Sequence, residues 1–315
     1  MTDEKSKPMT CSQTALDRYF VLGNPVGHSK SPQIHARFAQ LTGQQLDYQP
    51  WLVPPDGFAA ALAQLKAGGA RGCNVTVPFK FEAYQAAGSQ SDRAQLAQAA
   101  NTLVIGNGWV HADNTDGVGL VRDIEANAGV ALAGRDVLLI GAGGAGAGVL
   151  GPLLEAGPRR LVLVNRTRDR ADALAARHQA HPWLQRVLQN TELLVQDMQA
   201  VQGNFDVVIN ASASSLAGSA VPVAASVLKP GALACDLMYG PPADGFMAWA
   251  CWSSRPPNPL PCGAACARLR RRFCRNCGGS LHEGIWATAD SSLLGANSLA
   301  AVLCRAHCPD AGCQS

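Results

Sequence analysis

Asp136-Val137-Leu138-Leu139-Ile140-Gly141-Ala142-Gly143-Gly144-Ala145-Gly146 is the stretch from which the fold of this chain is read. Asp136–Ile140 is a short apolar run of buried-strand type. It passes without a linker into G-x-G-x-x-G and then into the helix-like Val149–Glu155. Each glycine has a physical task in that context. Gly141 permits a tight turn, Gly143 lets backbone N–H groups approach a pyrophosphate, and Gly146 lets helix and strand pack closely. The helix N-terminus offers partial positive charge to the phosphates. A hexapeptide of this kind is weak evidence alone in a chain with 32 Gly, where an ordinary glycine-rich turn is the competing explanation. The strand before it and the helix after it favour a dinucleotide-binding unit.

The next apolar run, Arg160–Asn165, ends in Asn165-Arg166-Thr167-Arg168-Asp169-Arg170. A site specific for NAD would place Asp or Glu at that strand end to accept from the ribose 2′-hydroxyl. Here Arg166 and Arg170 offer charge to a 2′-phosphate and Thr167 a hydroxyl. Arginines at a helix start oppose the helix dipole unless an anion is present, so a merely solvated helix start ranks second. The inferred cofactor is NADP.

Outward from this core the same alternation continues. Asp206–Asn210 and Leu233–Leu237 read as further buried strands and Arg168–Ala176 as a helix. Upstream, Tyr19–Gly23, Leu46–Trp51, Gly72–Val77 and Thr102–Ile105 read as strands; Pro32–Leu41, Gly57–Leu65 and Lys80–Ala87 read as helices between them. Alternating strands and helices predict an α/β protein of two α/β domains flanking a cleft: a Rossmann-type NADP-binding domain and an N-terminal substrate domain with a mainly parallel sheet. The expected division is residues 1–116 for the substrate-binding and catalytic domain, 117–239 for the NADP-binding domain and 240–315 for an atypical C-terminal segment. The join runs through the helix-like Gly117–Asn127, and Met1–Thr14 reads as a polar, disordered leader.

Three turns in the N-terminal half concentrate polar residues. In Gly23-Asn24-Pro25-Val26-Gly27-His28-Ser29-Lys30-Ser31-Pro32, Ser31 and Pro32 suit a helix start. Ser29 and Lys30 are left over, and hydroxyls at 29 and 31 on a rigid turn suit a small polyol or carboxylate. In Asn74-Val75-Thr76-Val77-Pro78-Phe79-Lys80 one face is polar and Lys80 opens a helix, where a cation is disfavoured by the dipole. A lone Lys is ordinarily a surface residue; at this junction it is a candidate acid/base. Asn101-Thr102 and Asp113-Asn114-Thr115-Asp116-Gly117 complete the set. An Asx turn and helix cap would account for one of the two aspartates.

The bulk properties exclude other classes. A chain of 315 residues with 47% hydrophobic and 16% charged residues is of ordinary globular type, and its +3 net charge is too small to argue for a nucleic acid or an anionic membrane, so neither is expected as a partner. No apolar run spans a bilayer and no signal peptide is recognisable, so a cytoplasmic location is expected. The small-molecule substrate is the expected partner, a homodimer is compatible with this reading, and no metal is assigned to the site.

Jointly, S-K-S-P, N-V-T-V-P-F-K, N-T, D-N-T-D-G-V-G, G-A-G-G-A and N-R-T-x-x-R resemble the shikimate dehydrogenase family in content and order, over about Tyr19 to Ala250. The resemblance implies reversible NADPH-dependent reduction of 3-dehydroshikimate to shikimate, a step of aromatic amino-acid biosynthesis. It implies that Ser29, Lys30, Ser31, Thr76, Asn101 and Asp116 bind substrate, and that Lys80 is the acid/base with Asp116 orienting it. Gly141, Ala142, Gly143, Gly144 and Ala145 would hold NADP together with Asn165, Arg166, Thr167, Arg168, Asp169 and Arg170. Leu237 would face the nicotinamide and Tyr239 the substrate. Two alternatives stay open: a quinate/shikimate dehydrogenase, a type compatible with NAD, and a chain that keeps the fold but is catalytically impaired, down to a non-catalytic binding protein, because of its altered C-terminus.

Past Ala250 the resemblance stops. The family continues to D-G-L-x-M-L-x-x-Q, whose Gly and Gln serve the site. Here Cys251-Trp252-Ser253-Ser254-Arg255-Pro256-Pro257 follows, then Arg270-Arg271-Arg272. Of 11 cysteines only Cys11, Cys73 and Cys235 precede residue 250, leaving eight in the tail, which has no Lys. This segment, without sustained helical or strand period, reads as translation in a shifted frame that leaves it largely disordered. The competing reading is a zinc site from Cys262, Cys266, Cys274 and Cys277 with His282.

Overall fold

The computed structural model describes residues 16–215, 218–252 and 302–305. The leader and the proposed zinc ligands lie outside the described residues. The N-terminal sheet is built from β1 (Asp17–Gly23), β2 (Leu46–Leu52), β3 (Gly72–Val75), β4 (Ser89–Gln90), β5 (Thr102–Gly106) and β6 (Trp109–Asp113), in the order β2-β1-β3-β5-β6-β4. β1 lies parallel to both β2 and β3, whereas β5 is antiparallel to β3 and to β6. Helices α1 (Ser31–Thr42), α2 (Phe58–Ala67), α3 (Lys80–Ala86) and α4 (Asp92–Ala97) accompany it.

Three features of this half differ from the sequence expectation. β4, β6 and α4 are additional elements. β3 stops at Val75, so Thr76 to Phe79 form the turn that delivers Lys80 to the first position of α3. Ser31 starts α1 without capping it, since its hydroxyl accepts from Ser29 Oγ at 3.1 Å rather than from the helix backbone.

The second sheet contains β7 (Asp136–Ile140), β8 (Arg160–Val164), β9 (Glu192–Gln196), β10 (Phe205–Asn210), β11 (Leu228–Asp236) and β12 (Val302–Arg305), ordered β12-β11-β10-β7-β8-β9. β7 to β11 pair in parallel, and the Leu, Ile and Val content of the central strands β7, β8 and β10 reflects burial on both faces. β9 is a further element that the sequence reading lacked. So is β12, which runs antiparallel to β11 although its segment was expected to form no strand. The helices are α5 (Asp116–Arg122), prolonged by a wider turn over Asp123–Asn127, α6 (Gly144–Glu155), α7 (Arg168–Ala180) and α8 (Asp244–Trp252).

Strand order reverses between β7 and β10, the switch point where a parallel sheet opens a crevice at its carboxyl ends. α4, α5 and α6 share one hydrophobic cluster through Leu96, Leu120, Val149, Leu150 and Leu153. Glycines on α6 permit the approach: a Cβ on Gly148 would lie 2.7 Å from Asn114 Nδ2. The glycine loop is thereby held against the N-terminal half, and the crevice of the second sheet faces the carboxyl ends of β1 and β3.

Candidate active site between the two sheets

The cleft so formed has a volume of about 630 Å³. One wall carries Ser29, Lys30, Ser31, Thr76 and Lys80; the other carries Gly141, Gly143, Gly144, Ala145, Arg166, Thr167, Arg170 and Leu237. Residues more than a hundred positions apart thus meet because each follows a strand that ends at the same crevice.

Lys80 is held at the junction of the two walls. It is 6% exposed, and its Nζ is ion-paired to Asp116 Oδ2, whose residue is 1% exposed. Two buried charges of opposite sign compensate one another only when their remaining hydrogen-bond capacity is met. Asn101 meets it: its Nδ2 donates to Asp116 Oδ1 at 2.7 Å and to Thr115 Oγ1 at 2.9 Å, while its Oδ1 accepts from the Thr115 N–H at 3.0 Å. Asn101 and Asp116 therefore lie behind Lys80, away from the cleft surface. Asn114 makes the expected Asx turn, accepting from the Asp116 N–H at 3.1 Å. Asp113 is spent on structure, joined to Arg93 at 2.5 Å.

The glycine loop is fixed from both sides. Gly141 has φ +114°, and a Cβ there would stand 2.9 Å from the Ala211 carbonyl carbon and the Ser212 nitrogen across the switch point. A Cβ on Gly146 would lie 2.0 Å from the Gly141 carbonyl oxygen, so the turn and the first turn of α6 can pack only as glycines. Asn165 Oδ1 accepts from the Ala142 N–H at 3.0 Å, which makes Asn165 a brace of this loop. Gly144 brings the loop within reach of the other wall, since its Cβ position is 3.0 Å from Lys80 Cβ.

The basic strand end divides. Arg166 and Arg170 line the cleft with Thr167. Arg168 does not: its guanidinium pairs with Asp172 at 3.1 Å and with Asp197 at 3.0 Å. Asp169 and Ala142 also lie outside the cleft lining. Tyr239 crosses from the second wall to the first, where its hydroxyl accepts from the Lys30 N–H at 3.3 Å.

Sequence reasoning passed over one group. Ser212, Ser214 and Ser219 line the second wall with Met198 and Met238. Asn210-Ala211-Ser212-Ala213-Ser214-Ser215, a run of small polar residues directly after a buried strand, carries the information that would have marked it. The cradle as a whole fits a dinucleotide with an additional phosphate: a crowded glycine turn, a helix N-terminus and two arginines that make no ion pair among the described residues.

Known proteins carry the same organisation. Residues 21–103 match the family described as shikimate dehydrogenase substrate binding domain, and residues 124–220 match shikimate / quinate 5-dehydrogenase. The shikimate dehydrogenase (NADP(+)) of Acidovorax sp. strain JS42 is 64% identical over 236 residues, covering 75% of this chain and 82% of that one. The protein of the same name from Verminephrobacter eiseniae strain EF01-2 is 59% identical over 239 residues, 76% of this chain and 81% of that one. Among solved structures, the shikimate 5-dehydrogenase of Thermus thermophilus in complex with NADP(H) and shikimate superposes with a TM-score of 0.61 at 27% identity. That comparison covers 81% of this chain and 93% of the other.

Proposed function

The chain belongs to the shikimate dehydrogenase family, and from that premise we propose that its cleft oxidises shikimate with NADP⁺ and, in reverse, reduces 3-dehydroshikimate with NADPH. It is an NADP-dependent oxidoreductase of aromatic amino-acid biosynthesis. The observation that carries the mechanism is the buried Lys80–Asp116 pair beneath the glycine loop.

When bound, the nicotinamide supplies hydride chemistry. The chain's own residues must then manage one proton. In reduction, Lys80 Nζ donates to the oxygen that develops negative charge; in oxidation it receives the proton back from the substrate hydroxyl. Asp116 accepts from Nζ and so fixes its direction, and Asn101 fixes Asp116. Ser29, Ser31 and Thr76 offer hydroxyls to the carboxylate and ring hydroxyls of the substrate, with Lys30 and Tyr239 at the mouth. Holding the reacting carbon in one orientation is itself a large part of the rate. Gly141 and Gly143 to Ala145 would cradle the pyrophosphate, Arg166, Thr167 and Arg170 would take the 2′-phosphate, and Leu237 would face the nicotinamide.

The same reading places the substrate-binding part in residues 1–116 and the cofactor-binding part in 117–239, and places the enzyme in the cytoplasm, as a homodimer, without a nucleic-acid partner. No described helix is long and apolar enough to cross a membrane. Quinate is the second substrate to consider, because the description matched by residues 124–220 joins shikimate and quinate. Initial rates with shikimate or quinate against NADP⁺ or NAD⁺ separate these readings. The expected order places shikimate with NADP⁺ first, and a higher kcat/KM for quinate with NAD⁺ would overturn it.

A further inference from the structure

Asp236 is a fully buried carboxylate, 0% exposed, at the last position of β11, and no cation pairs with it among the described residues. A charge-bearing group in such a place is costly unless hydrogen bonds satisfy it. Three donors do. Ser215 Oγ donates to Oδ2 at 2.5 Å, Asn210 Nδ2 to Oδ2 at 3.2 Å, and the Met238 N–H to Oδ1 at 2.9 Å. Asn210 carries the chain further, because its Oδ1 accepts from Ser212 N–H at 3.2 Å and Ser212 Oγ at 2.7 Å, and Ser212 meets Ser214 at 2.6 Å.

The two ends of this network are the two segments that form the cleft wall beside the glycine loop. Ser212 and Ser214 line it from the end of β10, and Leu237, Met238 and Tyr239 line it from the end of β11. Neither segment has regular secondary structure to hold it, and Tyr239 also reaches the Lys30 backbone across the cleft. A buried apolar residue at 236 would be cheaper for folding alone; the carboxylate is the acceptor that both segments share. We infer that Asp236 is a positioning residue, which fixes the Ser212–Ser215 turn and the Leu237–Tyr239 segment relative to one another and so shapes the wall against which the cofactor's nicotinamide half rests. This rests on the functional reading above for its consequence, but not for its geometry. Burial raises the Asp236 carboxyl above its ordinary range, against the three hydrogen bonds, so the network matters most where the group is ionised.

The test uses Asp236→Asn, which keeps shape but replaces the acceptor Oδ2 with a donor. Asn210 Nδ2 then faces another donor and must turn, releasing Ser212. The reciprocal pair Asn210→Asp with Asp236→Asn restores complementary donors and acceptors. In the full-length chain, Asp236→Asn is expected to raise amide hydrogen exchange in residues 211–215 and 237–239 together, with a modest fall in thermal stability from the buried donor left unmet. It should also weaken NADP⁺ binding by direct titration roughly tenfold or more, the scale of a hydrogen bond to a charged group. The double variant should recover most of both effects. Unchanged exchange in either segment, or a double variant no better than the single one, would overturn the inference. Altered and rescued exchange in a chain whose wild type fails to bind NADP⁺ would uphold the positioning role and refute the functional reading instead.

Discussion

Asn101 donates from Nδ2 to Asp116 Oδ1 at 2.7 Å, while Lys80 pairs with the other carboxylate oxygen, Oδ2. The carboxylate is thus gripped on both oxygens, and Lys80 has one direction in which to point. Asp116→Asn removes the negative partner while keeping the shape. The lysine is then a buried cation without compensation, so stability should fall by about 3–5 kcal/mol. Turnover should fall by about two orders of magnitude or more, because the proton is no longer aimed. Thermal unfolding and kcat at saturating substrate check both; a kcat within threefold of wild type would remove Asp116 from the catalytic unit.

Cofactor choice separates the two arginines read from the sequence as partners of a 2′-phosphate from Arg168, which only the family resemblance had added. Arg166 and Arg170 line the cleft, whereas Arg168 is held by Asp172 and Asp197. Replacing Arg166 and Arg170 together by Ala should erase most of the preference for NADP⁺ over NAD⁺, each charge-assisted contact contributing about 1.5–3 kcal/mol. Arg168→Ala should leave the ratio of kcat/KM values for the two cofactors unchanged. A ratio that responds to Arg168 and not to the pair would reverse the assignment.

Two buried histidines should make the fold lose stability as the pH falls. Burial pushes His35, stacked on Tyr48 at 4.1 Å, down to about 4 from 6.5. Burial likewise pushes His178 to about 4, with Arg177 and His181 adding to it and the Leu174 carbonyl opposing it. Both are depressed bases, so the unfolded chain takes up protons first as the pH falls. The stability from keeping these rings neutral is fully present above about 6.5 and is lost progressively towards pH 4, at most about 3 kcal/mol for each. The melting temperature of His178→Gln should fall less steeply than wild type across that window. Parallel curves for the two proteins would contradict this.

Legibility in the sequence followed punctuation. The glycine turn and Lys80 were readable because a strand, a turn and a helix follow one another within a dozen residues. The Asn101–Asp116 contact was not, because the β5–β6 hairpin folds back between them to bring them together. The hairpin itself was announced by Gly106-Asn107-Gly108 between two short apolar runs, and β6 was still missed because five residues carry little periodicity. Arg168 shows the limit of local reading. Its partner Asp172 stands one helical turn on and was visible, while Asp197 comes from the far side of β9. Asp236 looked like one more residue of an apolar strand, since its side-chain partners Asn210 and Ser215 lie on a neighbouring strand and the loop after it.

The C-terminal cysteines give a chemical test of the shifted-frame reading. Cys73 and Cys235 are buried, and burial pushes the Cys73 thiol up to about 12 and the Cys235 thiol upward as well. Both should stay silent towards a thiol reagent in the native protein, whereas the cysteines from Cys251 onward, apart from Cys304 on β12, should react with it. Purified chain should carry no stoichiometric zinc. One zinc per chain, with those thiols protected until a chelator is added, would establish the metal module instead.

The most direct measurement is the rate of NADPH formation from shikimate and NADP⁺ by this full-length chain, set beside that of Lys80→Ala. Lys80 is the proton-handling group at the junction of the two walls, so its removal should lower kcat by about 10²–10⁴ while shikimate affinity changes far less. That outcome is the one predicted. A Lys80→Ala enzyme that keeps more than about a tenth of the wild-type kcat at saturating shikimate would contradict the account, because a loss that small falls below the general acid/base range.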